Sequence, residues 1–168
     1  HSPAALFLTV GQPGLEALPI VTLDRYLQAD YVFPVLVDNS AGTSAVFTHL
    51  YDQGARRIAF VAGAADALDN TERQEIFLSE QANHGVHPLF QGNFTEISGY
   101  QAAQTIIASG DLPEAIFCAN DQMAIGFINA LQAHGKKVPY DILVAGFDDI
   151  PISRYMQPSL TTVSASRH

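Results

Sequence analysis

The stretch AIFCANDQMAIGFINALQAHG, Ala115 to Gly135, decides how the chain is read. Its first five residues are apolar without interruption, as a strand covered on both faces requires. The polar pair Asn120 and Asp121 breaks the run. Beyond it Met123, Phe127 and Leu131 recur every four residues, which places the three side chains on one stripe of a helix. The spacing predicts a helix from Asn120 to His134, and Gly135 supplies the stop, since glycine adopts the left-handed conformation past a helix end without a Cβ penalty. A buried strand feeding an amphipathic helix is half of a parallel βαβ unit.

The same plan recurs on either side. Upstream, VLVD (Val35 to Asp38) precedes a predicted helix from Ser40 to Gln53, with Val46 and Leu50 four apart and Gly54 after it. RIAFVA (Arg57 to Ala62) leads through DALDNTER into a helix from Asn70 to His84 that stops at Gly85. A short strand near Leu89 to Gly92 precedes a helix from Ile97 to Ser109, closed by Gly110. Downstream, ILVAGF (Ile142 to Phe147) is the last clear strand. Continuous apolar strands between amphipathic helices predict an α/β fold, a three-layer α/β/α sandwich around a parallel sheet. Residues 1–36 differ: the strand patterns ALFLTV and PIVTL are joined by proline- and glycine-rich loops without a helical pattern, and they read as an edge of a second lobe.

Of 168 residues, 48% are hydrophobic and 15% charged, an ordinary globular composition. The formal net charge is −9, and the two lysines, Lys136 and Lys137, stand side by side. Binding to a nucleic acid backbone needs clustered cations that displace its counterions, so any DNA contact is expected from a segment other than this one. No run approaches the roughly 18 to 20 apolar residues that cross a bilayer, and the opening HSPAALFLTVGQPG lacks a basic region ahead of its apolar run. The chain opens on His1, not Met, inside a strand-like run, so upstream sequence is expected. Cys118 is the single cysteine, has no internal disulfide partner and reads as a small buried hydrophobe.

In open α/β sheets, ligands bind beyond the carboxyl ends of the strands, where loops and helix N-termini converge. Here RIAFVA runs into Gly63 and then Arg73, AIFCA into Asn120 and Asp121, and ILVAGF into Asp148 and Asp149. A guanidinium, an amide and carboxylates suit a neutral ligand rich in hydroxyls, a sugar more than a phosphate. Local alternatives stand beside this. Asn120 and Asp121 also read as helix caps, Asp148 or Asp149 as caps of the IPISRY segment, and Arg73 as a solvated or carboxylate-paired arginine. Enzyme templates are missing: there is no G-x-G-x-x-G, P-loop or nucleophile elbow. His84 and His87 have neither Cys nor carboxylate at metal spacing, so no metal, cofactor or catalytic residue is expected.

The run CANDQMAIGFINALQAHGKKVPYDILVAGFDDIPISRYMQPSLTTV, Cys118 to Val163, closely resembles a stretch of the lactose-repressor and galactose-repressor (LacI/GalR) family, in which a Gly-aromatic-Asp-Asp turn is followed by a Leu-Thr-Thr strand. GARRIAFVAG (Gly54 to Gly63), GNFTEISGY (Gly92 to Tyr100) and LPIVTLDRY followed by VLVDNSAG resemble further family segments. The resemblance implies a periplasmic-binding-protein-like effector domain of a cytoplasmic repressor: residues 1–36 a remnant of the first lobe, 37–157 the second lobe, and 158–168 a crossover back toward the first. It implies a small-molecule effector of the sugar class, held by Arg73, Asn120 and Asp148, with Phe94 as an aromatic wall and Asp24 contributed by the first lobe. Phe94 also reads as core, and Asp24 as a local partner of Arg25. A homodimer is implied through Met123 and Phe127 on one helix and through Tyr155 and Met156, which alternatively read as core. Operator DNA would be contacted only through a headpiece absent from this chain, its grip altered by hinge closure about the effector. The rival reading is an extracytoplasmic sugar-binding protein of a transport system, against which the Tyr-x-x-Pro-x-Leu-Thr-Thr tail (Tyr155 to Thr162) speaks.

Overall fold

The computed structural model describes residues 20–23, 31–84 and 88–164. The chain divides into two compact units, His1–Val37 and Asp38–His168. In the first, strand β1 (Ile20–Leu23) pairs in parallel with β2 (Val32–Val35). The expected strand over Val35 to Asp38 is displaced: pairing with β1 ends at Val35, and Asp38 instead caps the following helix, its carboxylate accepting the Ala41 N–H at 2.8 Å. A capping aspartate satisfies an orphan helix donor from outside the ladder, so the backbone leaves the extended conformation there.

The second unit runs α1 (Asn39–Asp52), β3 (Ile58–Ala62), α2 (Leu68–His84), β4 (Leu89–Gln91), α3 (Glu96–Ser109), β5 (Ala115–Cys118), α4 (Asp121–Ala133), β6 (Leu143–Phe147), a 3-10 turn (Pro151–Arg154) and β7 (Thr161–Val163). The sheet order is β4-β3-β5-β6-β7, and every pair is parallel. Every residue of β3 and β5 is buried, whereas the edge strands β4 and β7 are partly open. Asp38, Thr95 and Asn120 each accept the N–H three residues on, and Gly54, Gly110 and Gly135 follow their helices with positive φ.

Alternation along the strands assigns the two faces. Phe60 and Phe117 are level in adjacent strands, 5.2 Å between ring centroids, and Phe77 of α2 lies 5.0 Å from Phe60. Phe47 of α1 meets Phe77 edge-on at 5.8 Å, so an aromatic layer lies beneath α1 and α2. Phe147 abuts Gly42 of α1, but its neighbour Gly146 abuts Asp121 and Ala124 of α4, which places α4 on the opposite face. There α3 and α4 meet almost backbone to backbone. A Cβ on Gly99 would stand 2.0 Å from the Met123 carbonyl oxygen, and one on Gly126 would stand 1.9 Å from that of Glu96.

This packing corrects the dimer assignment of Met123 and Phe127. Both side chains are fully buried within the lobe. The stripe to which the resemblance gave an interface role is the one α4 uses to cover the sheet and α3, as its periodicity alone suggests. Tyr155, by contrast, is 80% exposed, and Met156 is half-buried.

Candidate ligand-binding site

Strand order reverses direction between β3 and β5: the chain steps outward from β3 to β4, then crosses back to β5. At such a switch point the loops beyond the strand ends part and leave a crevice. Gly63 closes β3, and its N–H donates to Asn70 Oδ1 at 2.5 Å in the first turn of α2. A methyl group at Gly63 would stand 2.1 Å from Cζ of Phe94, so the Phe94 ring lies against the end of β3. Phe94 has φ 67° and is only partly buried.

Asn120 joins two elements. Its Oδ1 accepts the Met123 N–H at 3.0 Å, and its Nδ2 donates to the Phe94 carbonyl at 3.0 Å. The capping role read from sequence is therefore real and is combined with anchorage of the aromatic loop. An amide carries two donors and two acceptor sites, so one of each is left over at this edge.

Arg73 reaches from α2 beneath the strand ends and is 4% exposed. Its Nε donates to Asn39 Oδ1 at 2.8 Å and its Nη1 to the Ala119 carbonyl at 2.5 Å. Nη2 lies 3.6 Å from Asp148 Oδ1, and the guanidinium carbon sits 3.8 Å from the centroid of the Phe147 ring. Arg73 is thus a carboxylate-paired arginine within the strand-end cluster. Asp148, its side chain 40% exposed, carries the pair to the surface.

Asp148 and Asp149 have φ of 113° and 50°. Left-handed backbone is sterically costly for residues with a Cβ, and it persists where surrounding bonds over-determine it. Here the Asp148 N–H donates to the Val163 carbonyl at 3.0 Å, and the Asp149 N–H donates to Thr162 Oγ1 at 3.2 Å. Among the described residues, the three non-glycine positions with positive φ are Phe94, Asp148 and Asp149, all on this edge.

Two residues of the edge do other work. Asp121, fully buried, accepts from Thr162 Oγ1 at 2.5 Å, Ser153 Oγ at 2.8 Å and the Ile150 N–H at 2.9 Å. Burial raises its pKa against the pull of those three donors. Asp149 pairs with Arg154 at 2.7 Å, and that hydrogen bond lowers its pKa. Both brace the turn. Asp24 lies outside the described residues. Sequence reading missed Asn39, which is 3% exposed and bonded to Arg73; its polar side chain at the start of a helix reads as an ordinary cap, and only its partners distinguish it.

The model of the periplasmic binding protein-like domain matches residues 47–166. The chain belongs to that family. Within it the chain corresponds to the effector-binding segment of LacI-family regulators. It is 34% identical over 151 residues to the "Probable HTH-type transcriptional repressor ExuR" of Bacillus subtilis, covering 87% of this chain and 45% of that protein. It is 34% identical over 157 residues to the HTH-type transcriptional repressor PurR of Histophilus somni, covering 90% and 47%. Among solved structures, a sugar-binding transcriptional regulator of the LacI family from Escherichia coli, complexed with phosphate, superimposes with a TM-score of 0.79 at 31% identity, over 87% of this chain and 54% of that one. A LacI-family regulator from Enterococcus faecium with bound ribose gives 0.78 at 27% identity, over 87% and 55%. The chain spans about half the length of the curated relatives it matches. As a member of this periplasmic-binding-protein-like family, it carries the α/β fold with a parallel sheet that its strand pattern predicts.

Proposed function

We propose that this chain is the ligand-sensing lobe of a LacI-type transcriptional repressor, that its effector is a neutral, hydroxyl-rich molecule of the sugar class, and that it passes the ligand state to an operator-binding headpiece outside this segment. The observation that carries the reading is the placement of Phe94 and Asn120 at the switch point of the sheet with Asp148 tied to the same edge through Arg73, on backbone held at positive φ at two of the three. Phe94 offers an aromatic face to the C–H side of a sugar ring. Asn120 supplies one donor and one acceptor, and Asp148 supplies carboxylate oxygens to hydroxyl groups. The charge of Arg73 is matched by Asp148, which supports a neutral ligand over a phosphorylated one.

The lobe senses without catalysing, works in the cytoplasm, and pairs with a second copy through Tyr155 and Met156. The free energy available to the switch is the effector's differential affinity for two arrangements of the whole repressor. Calorimetric titration of neutral pentoses, hexoses and sugar phosphates into the chain and into Asp148→Asn tests the ligand class. A neutral sugar binds, and the variant loses at least about tenfold in affinity; equal affinity in the variant, or binding confined to phosphates, overturns the reading. For the dimer, sedimentation velocity of Tyr155→Ala shows a reduced dimer fraction with the melting temperature retained, and identical sedimentation of the two proteins refutes the contact.

A further inference from the structure

Asn39 opens α1 immediately after the boundary between the two units, and its side chain is buried between α2 and the strand ends. Its amide is used from both sides. Oδ1 accepts the Arg73 Nε proton at 2.8 Å, while Nδ2 donates to Glu72 Oε2 at 2.6 Å and to Asp69 Oδ1 at 3.2 Å. A guanidinium can only donate and an ionised carboxylate can only accept, so left adjacent they seek one another. An amide between them satisfies both and carries no charge. Asp69 stands four residues before Arg73 in α2, at the spacing that brings side chains together on one helix face, and Glu72 directly precedes Arg73 and meets the same Asn39 amide.

We propose that Asn39 is the positioning residue of the ligand edge: it insulates Arg73 from Asp69 and Glu72, and so directs the guanidinium toward Asp148 and fixes the carboxylate that faces the ligand. The inference rests on the site proposed above for its binding consequence, but the placement of Arg73 is open to test without any ligand. Asn39 sits where the polypeptide enters the lobe from the first unit, so a change in the Arg73–Asp148 pair reaches that entry point through one amide.

The test compares wild type, Asn39→Ala, Asn39→Asp and the double variant Asn39→Asp/Glu72→Gln. Aspartate at 39 still accepts from Arg73 but faces two carboxylates it cannot donate to. Glutamine at 72 restores a donor between them. The first readout is hydrogen exchange of the Arg73 Nε–H followed by NMR, with no ligand present. The expected pattern is slow exchange in wild type and the double variant, and exchange at least tenfold faster in Asn39→Ala. The second readout is affinity for the neutral sugar that binds wild type most tightly: about tenfold weaker in Asn39→Ala and Asn39→Asp, and recovered to within about twofold in the double variant. Unchanged Arg73 exchange in Asn39→Ala, or failure of Glu72→Gln to rescue Asn39→Asp while the double variant stays folded, overturns the inference. If wild type binds no sugar but the exchange pattern holds, the positioning role stands and the ligand reading fails.

Discussion

The two ends of the second unit's sheet differ in how they use polar groups. At the N-terminal ends of the strands two hollows open, one of about 310 Å³ floored by Gly54, Pro139 and Ile142 and another of about 240 Å³ between His49, Val138 and Pro158. Their carboxylates are taken up by backbone N–H groups. Glu114 accepts the N–H groups of Arg56 and Arg57 at 2.5 and 2.9 Å, and Asp141 accepts that of Lys137 at 2.7 Å. The helices there end in relaxed glycine turns at Gly54 and Gly135. The C-terminal ends instead bury a guanidinium, three asparagines and a carboxylate, and hold Phe94, Asp148 and Asp149 at positive φ without glycine. Exposed carboxylates and relaxed turns mark one end, while buried polar bonding and left-handed backbone without glycine mark the other. The second is what a ligand site needs, because recognition depends on groups held in place before the ligand arrives.

The comparison breaks most visibly at Asp121. Asp121→Ala strips the acceptor from Thr162, Ser153 and Ile150 and is expected to cost about 3 kcal/mol in urea unfolding, the largest effect of any single change named here. A loss under about 1 kcal/mol would mean that the turn is not held by this carboxylate. Its pH dependence sharpens the contrast. Burial raises the Asp121 pKa, so the folded state binds its proton more tightly than the unfolded chain does. Its contribution is full below the unfolded value near pH ~4 and is lost as pH rises through the folded one. Glu114 at the other end has the opposite sign: the Arg56 and Arg57 backbone N–H groups lower its pKa, so its contribution is present above the unfolded value and lost as pH falls through the folded one. The stability difference between wild type and Asp121→Asn should therefore shrink with rising pH, and that for Glu114→Gln should grow. Two slopes of the same sign would dissolve the distinction.

The next effect in size is on binding. Gly63→Ala places a methyl 2.1 Å from Phe94 Cζ and forces the ring off the end of β3. Sugar affinity is expected to fall about tenfold with the fold retained, and undiminished affinity would remove Phe94 from the site. The smallest effect belongs to Glu114→Gln itself, at most about 1 kcal/mol at neutral pH because the group is exposed, with sugar affinity untouched.

Much of this was legible in the sequence. The helices begin and end within two residues of their predicted bounds because caps and glycine stops are local devices, acting through hydrogen bonds three or four residues long. The five sheet strands were legible as apolar runs, apart from the short β7, which the Leu-Thr-Thr resemblance supplied. Where local signals misled, a nonlocal partner decided. Val35 to Asp38 has strand composition, but β1 stops pairing at Val35. For Met123 and Phe127 the periodicity fits one buried stripe, as the structure has it; the interface role came from the family resemblance and not from the local pattern.

The division has a physical basis. The order of residues along the chain determined the alternation of strand and helix, the placement of Arg73, Asn120 and Asp148 just beyond strand ends, and the lack of a cationic surface, since each depends on propensity, periodicity or summed charge. Only the tertiary structure decided the charge-paired state of Arg73, the two-sided amide of Asn39, the buried brace of Asp121 and the pressure of Phe94 on Gly63. Those contacts join residues 29 to 75 positions apart, and their geometry exists only once the parallel sheet has brought the ends of β3, β5 and β6 to one edge.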